Sequence, residues 1–345
     1  MIKIDGSQGE GGGQIVRSAL SLAMLTGKSF EMGNIRVGRK KPGLMRQHFM
    51  AVSAAAQVCG ADLAWASLGS TKMGFYPGKV ASGNYEFRVG TAGSTTLLFQ
   101  TILPALMVAD GPSNLVIEGG THNPHAPPYD FLARAFLPLV NKLGPQVTTT
   151  LDRYGFYPAG GGQFRAQITP VRHFQELNLM ARGKLLDHRA RIILANLPSH
   201  IGERECKTLR TLSGWPDSAI IVESPSNCRN SGNAVLMELE FEAVTEVCTA
   251  FGEIGIKAER VAHVAWDEAK KYLESGAPVG EHLADQLMLP LAVSAYAGGP
   301  GGTYRSTALS CHSTTHLDVL RKFLDMEVTV DRNETGEYTV SILPQ

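Results

Sequence analysis

The sequence predicts an α/β fold: three repeated βαβαββ units forming one large domain, with a smaller α/β domain inserted in the third. Three observations carry this reading. Gly74-Phe75-Tyr76-Pro77-Gly78 returns as Gly155-Phe156-Tyr157-Pro158-Ala159-Gly160, 81 residues further on. Strand-like and helix-like stretches follow one another in the same order around both copies, and a period this long means duplicated units rather than a short-repeat solenoid. Between the second unit and the C-terminal part, residues 183–277 read as an α/β series of their own.

In the first unit a strand at 2–4 enters a glycine-rich turn and a helix at 15–25. A strand at 34–37 and a helix at 44–58 follow. The second unit repeats this with a strand at 85–89, a helix at 97–107, a strand at 114–117 and a helix at 131–143. Two short strands close each unit. The third unit shows helices at 281–293 and 314–324 and strands at 303–310, 327–330 and 338–343. The inserted part reads strand 189–194, helix 201–211, strand 219–223, strand 234–241 and helix 264–274. The expected domains are 1–182 for repeats one and two, 183–277 for the insertion, and 278–345 for the completed third repeat.

Composition narrows the function classes. Of 345 residues, 32 are Lys or Arg and 32 Asp or Glu, so the net charge is zero. A chain coated in positive charge for nucleic acid is excluded; a local basic groove is not. Hydrophobic residues make up 43%, enough for a large core. The five cysteines form no CxxC pair, which argues against a disulfide framework or structural zinc. No signal-peptide pattern opens the chain, and the apolar run 97–109 is interrupted by Gln100 and Pro104, short of the ~20 residues of a membrane span. A soluble, cytoplasmic protein is expected.

Five segments carry candidate chemistry. Gln8-Gly9-Glu10-Gly11-Gly12-Gly13-Gln14 precedes a helix, where free backbone N–H groups favour an anion. It fits neither the GxGxxG nor the P-loop pattern. Glu10 reads either as part of a plain turn or as the carboxylate of a divalent cation bridging to phosphate. From Arg36 to Arg46, five basic residues fall within eleven positions, with no acid between Glu31 and Asp62. Guanidinium groups converging there suit phosphate better than a solvated charge run does. The loop Thr121 to Phe131 holds His122 and His125, an incomplete metal site, and Pro127 with Phe131, which can flank a planar base; a rigid loop capped into a helix is the other reading. Glu281 and Asp285 share one helix face, as metal-binding carboxylates or as a solvated first turn. Cys311 and His312 stand where a strand passes into a helix; a neutral imidazole there is a competent nucleophile with Cys311 as its rival, strand alternation points one of the two away from the site, and a lone histidine is more often structural.

These segments, in this order, resemble the RNA 3′-terminal phosphate cyclase family over essentially the whole chain. Gly9 to Ile15 with Arg17-Ser18, the Arg36 to His48 stretch, Gly155 to Gly162, Leu283-Ala284-Asp285-Gln286 and Ser310-Cys311-His312 carry the resemblance. It implies that ATP and a divalent cation, Mg or Mn, serve to convert an RNA 3′-phosphate to a 2′,3′-cyclic phosphate, through a histidine–AMP and then an RNA-adenylate. It implies His312 as nucleophile and Glu10 as metal ligand. It implies ATP contacts at Gln100, Pro127, Phe131, His282, Leu283, Ala284, Asp285 and Gln286. Arg17, Arg36, Arg39, Gln47 and His48 match positions lining the phosphate and RNA end. The family often carries Tyr where this chain has His282. A homodimer is an expectation by family analogy only. A non-catalytic binding factor of the same fold would lack His312, and an enolpyruvyl transferase would spread its basic residues over several repeats.

Overall fold

A helix that joins two neighbouring strands returns the chain to the same edge, so the strands it joins run parallel. That rule organises the molecule. The computed structural model describes residues 1–345 apart from Glu10 and Thr91. In the first unit β1 (Ile2–Asp5) leads to α1 (Gly13–Thr26), β2 (Phe30–Gly33), α2 (Arg46–Cys59), β3 (Asp62–Ala64) and β4 (Met73–Tyr76). In the second, β5 (Asn84–Arg88) is followed by α3 (Thr95–Leu106), β6 (Ser113–Gly119), α4 (Tyr129–Phe131), a π-turn (Leu132–Phe136), α5 (Leu137–Lys142), β7 (Gln146–Arg153) and β8 (Gly162–Thr169).

The third unit starts with β9 (Leu177–Leu179) and is then interrupted. The interruption holds β10 (Leu185–Ala195), α6 (Ser199–Ser213), β11 (Ile220–Glu223), β12 (Gly232–Phe241), β13 (Thr245–Phe251) and α7 (Ala258–Ser275). The unit resumes with α8 (Glu281–Tyr296), β14 (Gly302–Ser306), α9 (Cys311–Phe323), β15 (Glu327–Arg332) and β16 (Tyr338–Leu343). Three sheets share one order: β1-β2-β4-β3, β5-β6-β8-β7 and β9-β14-β16-β15. In each, the first pair is parallel and the others antiparallel. The interrupting sheet runs β11-β10-β12-β13.

Sheet residues alternate between buried and exposed, as β8 shows, so each sheet packs one face inward. The helices meet in the middle. α1 packs against α2, α3 and α9, and α3 also touches α8. Their near-continuous burial, from Ile15 to Met24 in α1 and Leu287 to Ala295 in α8, makes one shared core.

Several expectations shift. Residues 34–37 are a turn, not a strand: β2 ends at Gly33, and Asn34 and Arg36 take positive φ, 53° and 54°. The Gly-Phe-Tyr-Pro match does not join equivalent positions. Gly74 to Tyr76 lies within β4, whereas Gly155 to Tyr157 precedes β8. The helices fix a better register, with Gly13 opening α1 and Thr95 opening α3. β9 and β13 were unread, and β14 stops at Ser306 rather than residue 310.

Candidate active site

The site is built around the first turn of α9. Ser310 caps the helix: its hydroxyl accepts from the backbone N–H of His312 (3.1 Å) and Ser313 (3.2 Å). The same hydroxyl donates to Asp285 Oδ2 (3.1 Å), and Ser313 Oγ donates to Asp285 Oδ1 (2.6 Å). Asp285 therefore ties α8 to the start of α9. Burial raises its pKa, against the Ser313 hydrogen bond and the neighbouring His312. His312 Nδ1 lies 2.7 Å from Gln14 Oε1. A carbonyl oxygen only accepts, so Nδ1 carries a proton, and in the neutral ring the lone pair is on Nε2. Cys311 is the first residue of the helix and is exposed. The expected strand alternation between Cys311 and His312 does not apply, because both sit on a helical turn.

Beside His312 the cavity becomes cationic. Arg17 comes from α1, Arg36 and Arg39 from the loop after β2, and Gln47 and His48 from α2. Arg36 donates back to the carbonyls of Lys41 (2.8 Å) and Gly43 (3.1 Å), which closes the basic loop on itself. His48 is only 4% exposed, and its Nδ1 accepts from the Met45 N–H (3.2 Å). Burial, then the charges of Arg17 and Arg36, push its pKa down to about 3. It is a neutral hydrogen-bonding group at physiological pH. Burial and the charge of Arg39 likewise lower Arg36. Gly13 has a packing reason: a Cβ there would overlap the His48 imidazole. Like charges gathered in a partly closed space are relieved by an anion.

The opposite wall is apolar. α3 and α8 carry one pattern, Leu97-x-x-Gln100-x-x-Leu103-Pro104 and Leu283-x-x-Gln286-x-x-Leu289-Pro290, and all of these residues but Leu283 line the wall. Both amide atoms of Gln100 are buried without a partner among the described residues. Such atoms are costly unless a ligand satisfies them. Pro127, Phe131 and Phe136 add a flat edge. Pro138 has no N–H to donate to Arg134, and the chain instead bonds Leu137 N–H to Leu132 O, one residue further back. The resulting π-turn lets Phe131 and Phe136, five apart, both reach the cavity. The interrupting part contributes Thr249 and Phe251 of β13 and Glu268 of α7. His282 Nε2 stands 3.7 Å from Glu268 Oε1. The whole cavity measures about 820 Å³, within the range of small-molecule sites.

The structure thus brings twelve of the expected residues to one cavity: His312, Gln100, Pro127, Phe131, His282, Asp285, Gln286, Arg17, Arg36, Arg39, Gln47 and His48. Leu283 and Ala284 are not among its lining residues; both are fully buried in the core face of α8, and the Ala284 carbonyl accepts from Tyr304 Oη (2.8 Å). Glu10 lies outside the described residues. Among the described residues no group of three or more His, Cys, Asp or Glu is placed to hold a metal. His122 is fully buried, with ring nitrogens bonded to Asp130 (2.7 Å) and Thr121 (2.9 Å), while His125 lines the cavity.

The RNA 3′-terminal phosphate cyclase family model matches residues 8–330. The chain belongs to this family. It is 48% identical to an RNA 3′-terminal phosphate cyclase of Koribacter versatilis over 334 residues, 97% of this chain and 93% of that protein. A namesake from Ectopseudomonas mendocina is 46% identical over 327 residues, 95% and 94% of the two chains. Among solved structures the enolpyruvyl transferase NikO from Streptomyces tendae is similar at 10% identity, TM-score 0.38, covering 95% of this chain and 46% of that one.

In this member of the cyclase family, sequence reading left three parts of the site unassigned. In the sequence Gln14 is only the last residue of the glycine-rich loop. The β13 and α7 residues were out of reach, because nothing local shows that the interrupting part returns to the cavity. His316, one turn after His312, has both ring nitrogens buried without a side-chain partner among the described residues, and burial lowers its pKa to about 4. One signal is available: the Leu-x-x-Gln-x-x-Leu-Pro match between residues 97 and 283 marks the two helices of the apolar wall.

Proposed function

We propose that this protein converts an RNA 3′-phosphate to a 2′,3′-cyclic phosphate using ATP, with His312 as nucleophile. The observation that carries the reading is the His312–Gln14 contact beside a cationic pocket. It puts the lone pair of the neutral ring on Nε2, in a residue that lines a space suited to a triphosphate. The apolar wall with its unsatisfied Gln100 amide suits a nucleobase, and Pro127 and Phe131 suit its flat faces.

In the first step Nε2 of His312 attacks the α-phosphorus, the bond to the β-phosphate oxygen breaks, and pyrophosphate leaves. Gln14 accepts the hydrogen bond from Nδ1–H throughout and stabilises the charge developing on the ring. In the second step an oxygen of the RNA 3′-phosphate attacks the same phosphorus, and the P–N bond breaks. The imidazole returns to neutral, and AMP now sits on the RNA phosphate. In the third step the neighbouring 2′-hydroxyl attacks the terminal phosphorus, giving up its proton to the surrounding water, and AMP leaves. The last step is intramolecular and gains from proximity. Arg17, Arg36 and Arg39 hold the phosphates, and neutral His48 and Gln47 donate hydrogen bonds to them.

A divalent ion, Mg or Mn, would enter with the triphosphate and neutralise its charge. Glu10 is the carboxylate we assign to it, and no step above is routed through the ion. Residues 183–277 are taken as an inserted unit, and the protein as cytoplasmic. The test is incubation with α-labelled ATP. An acid-labile, alkali-stable protein–AMP bond is expected, and its persistence in His312→Ala would overturn the nucleophile. Absence of any adduct in the wild type would favour a binding factor of the same fold.

A further inference from the structure

The pairing of the first sheet places two loops together. Met32 of β2 pairs with Met73 of β4, and Ala64 of β3 pairs with Gly74. The 65–72 loop therefore opens at the same end of the sheet as the basic loop, 34–45. The two are bonded to each other. Ile35 N–H donates to Thr71 O (2.9 Å), Leu44 N–H to Ser70 O (3.0 Å) and Gly69 N–H to Leu44 O (2.8 Å). Gly43, at φ 78°, allows this approach, since a Cβ there would overlap the Gly69 carbonyl. The 65–72 loop is thus a fixed extension of the loop that delivers Arg36 and Arg39 to the cavity.

This extension presents Trp65. Its side chain is 55% exposed and its backbone is left-handed, φ 53°. A bulky residue pays strain to hold that conformation. The exposed ring recovers little of it from the core. Lys72 Nζ stands 5.0 Å from the ring centroid, and Lys40 and Lys41 are exposed on the adjoining loop. Leu68, 57% exposed, widens the apolar surface on the same loop. The other two tryptophans pack edge-on against each other, 5.8 Å apart, between α6 and α7. An exposed aromatic among lysines, continuous with a phosphate pocket, is the arrangement that single-stranded nucleic acid uses: bases stack and phosphates are neutralised.

We propose that Trp65 is a stacking platform for a base of the RNA strand upstream of its 3′ end, with Lys40, Lys41 and Lys72 holding the adjacent phosphates. The inference rests on the RNA reading above. It predicts that strand length matters to binding beyond the reacting end.

The test compares 3′-phosphate RNAs of two and of about ten nucleotides as cyclisation substrates for the wild type and Trp65→Asn. Asparagine tolerates the left-handed backbone, so the loop keeps its shape. The variant is expected to raise KM for the longer RNA about tenfold. KM for the dinucleotide and the rate of self-adenylation should stay unchanged. Trp65→Phe should restore most of the loss. Equal KM changes for both RNAs, or none for the longer one, would overturn the platform while leaving the cyclase reading intact. A longer RNA bound no better than an acidic peptide of equal charge would overturn it too, assigning the patch to a protein partner. Failure of the wild type to cyclise any RNA would sink the RNA reading, and this inference with it.

Discussion

At His312 the partner that matters chemically is 298 residues away in the chain. Gln14 selects the tautomer, so losing it should leave the fold intact and slow the first step. Gln14→Ala is expected to reduce self-adenylation by about 10- to 100-fold in single-turnover assays. An unchanged rate would show that the imidazole is oriented by another contact. Arg39→Ala should impair cyclisation of a 3′-phosphate RNA more than self-adenylation, since Arg39 belongs to the cationic end rather than the base wall. Equal loss in the two assays would move it to the triphosphate. At this scale the sequence was informative wherever the residue type itself is unusual. The Arg36–Arg46 run stands out by its chemistry, whereas His312 stands out only through the family resemblance. Gln14 does not stand out by chemistry, because a glutamine beside three glycines has no chemical signature until its partner is known.

Elements were more legible than the contacts between them. Helices α1, α3, α6 and α8 lie where apolar periodicity places them, within a few residues. The misplaced second strand has a local cause. Asn34 to Val37 looks extended, but residues that accept left-handed backbone and the turn bonds Val37 N–H to Asn34 O and Arg39 N–H to Arg36 O decide against it. Three-residue β9 is too short for any period to register, and the interruption removes it from its own helix. The junction of α8 and α9 is where element and function meet. Ser313→Ala removes one of the two hydroxyls that bind Asp285 and leaves a buried carboxylate half satisfied. A cost of about 1–3 kcal/mol in denaturant stability is expected, with slower self-adenylation because the turn bearing His312 loosens. Loss of stability alone, at full adenylation rate, would mean that Asp285 serves folding only.

For the whole molecule, the interrupting sheet is attached by buried charge. Arg191 of β10, 8% exposed, is ion-paired with Asp130 at the start of α4, with Glu223 (2.7 Å) and with Glu238 (3.0 Å). Burial alone would raise Asp130, but His122 and Arg191 hold it well below the usual carboxylate range. Arg191→Ala would take a charged partner from two buried carboxylates, leaving Asp130 to His122 and Glu238 to Arg134, and a loss of about 3–5 kcal/mol is expected in urea unfolding. A second tie responds to pH. Glu246 of β13 accepts from the Gly280 N–H (2.8 Å) at the start of α8, and burial raises its pKa to about 7. A carboxyl raised on folding stabilises below its unfolded pKa, and that stability is lost as pH rises through about 7. The wild type should therefore lose on the order of 1–3 kcal/mol between pH 5 and pH 8 that Glu246→Gln does not lose. Parallel curves for the two proteins would refute this. None of these ties was visible in the sequence, since Arg191, Asp130 and Glu246 each look like ordinary strand or helix-start residues until the sheets are placed.

The span between Gln14 and His312 also orders events in time. Chains are made from the N-terminus, and the glycine-rich loop, the basic loop and the edge formed by Pro127, Phe131 and Phe136 exist long before α9 does. Closing so long a loop comes late in folding as well as in synthesis. On the proposed mechanism, a growing chain therefore carries most of the residues that line the cavity while lacking the histidine that would capture AMP. A chain halted before residue 311 is expected to take up no label from α-labelled ATP, and full-length protein refolded from denaturant should regain labelling only with its slowest folding phase.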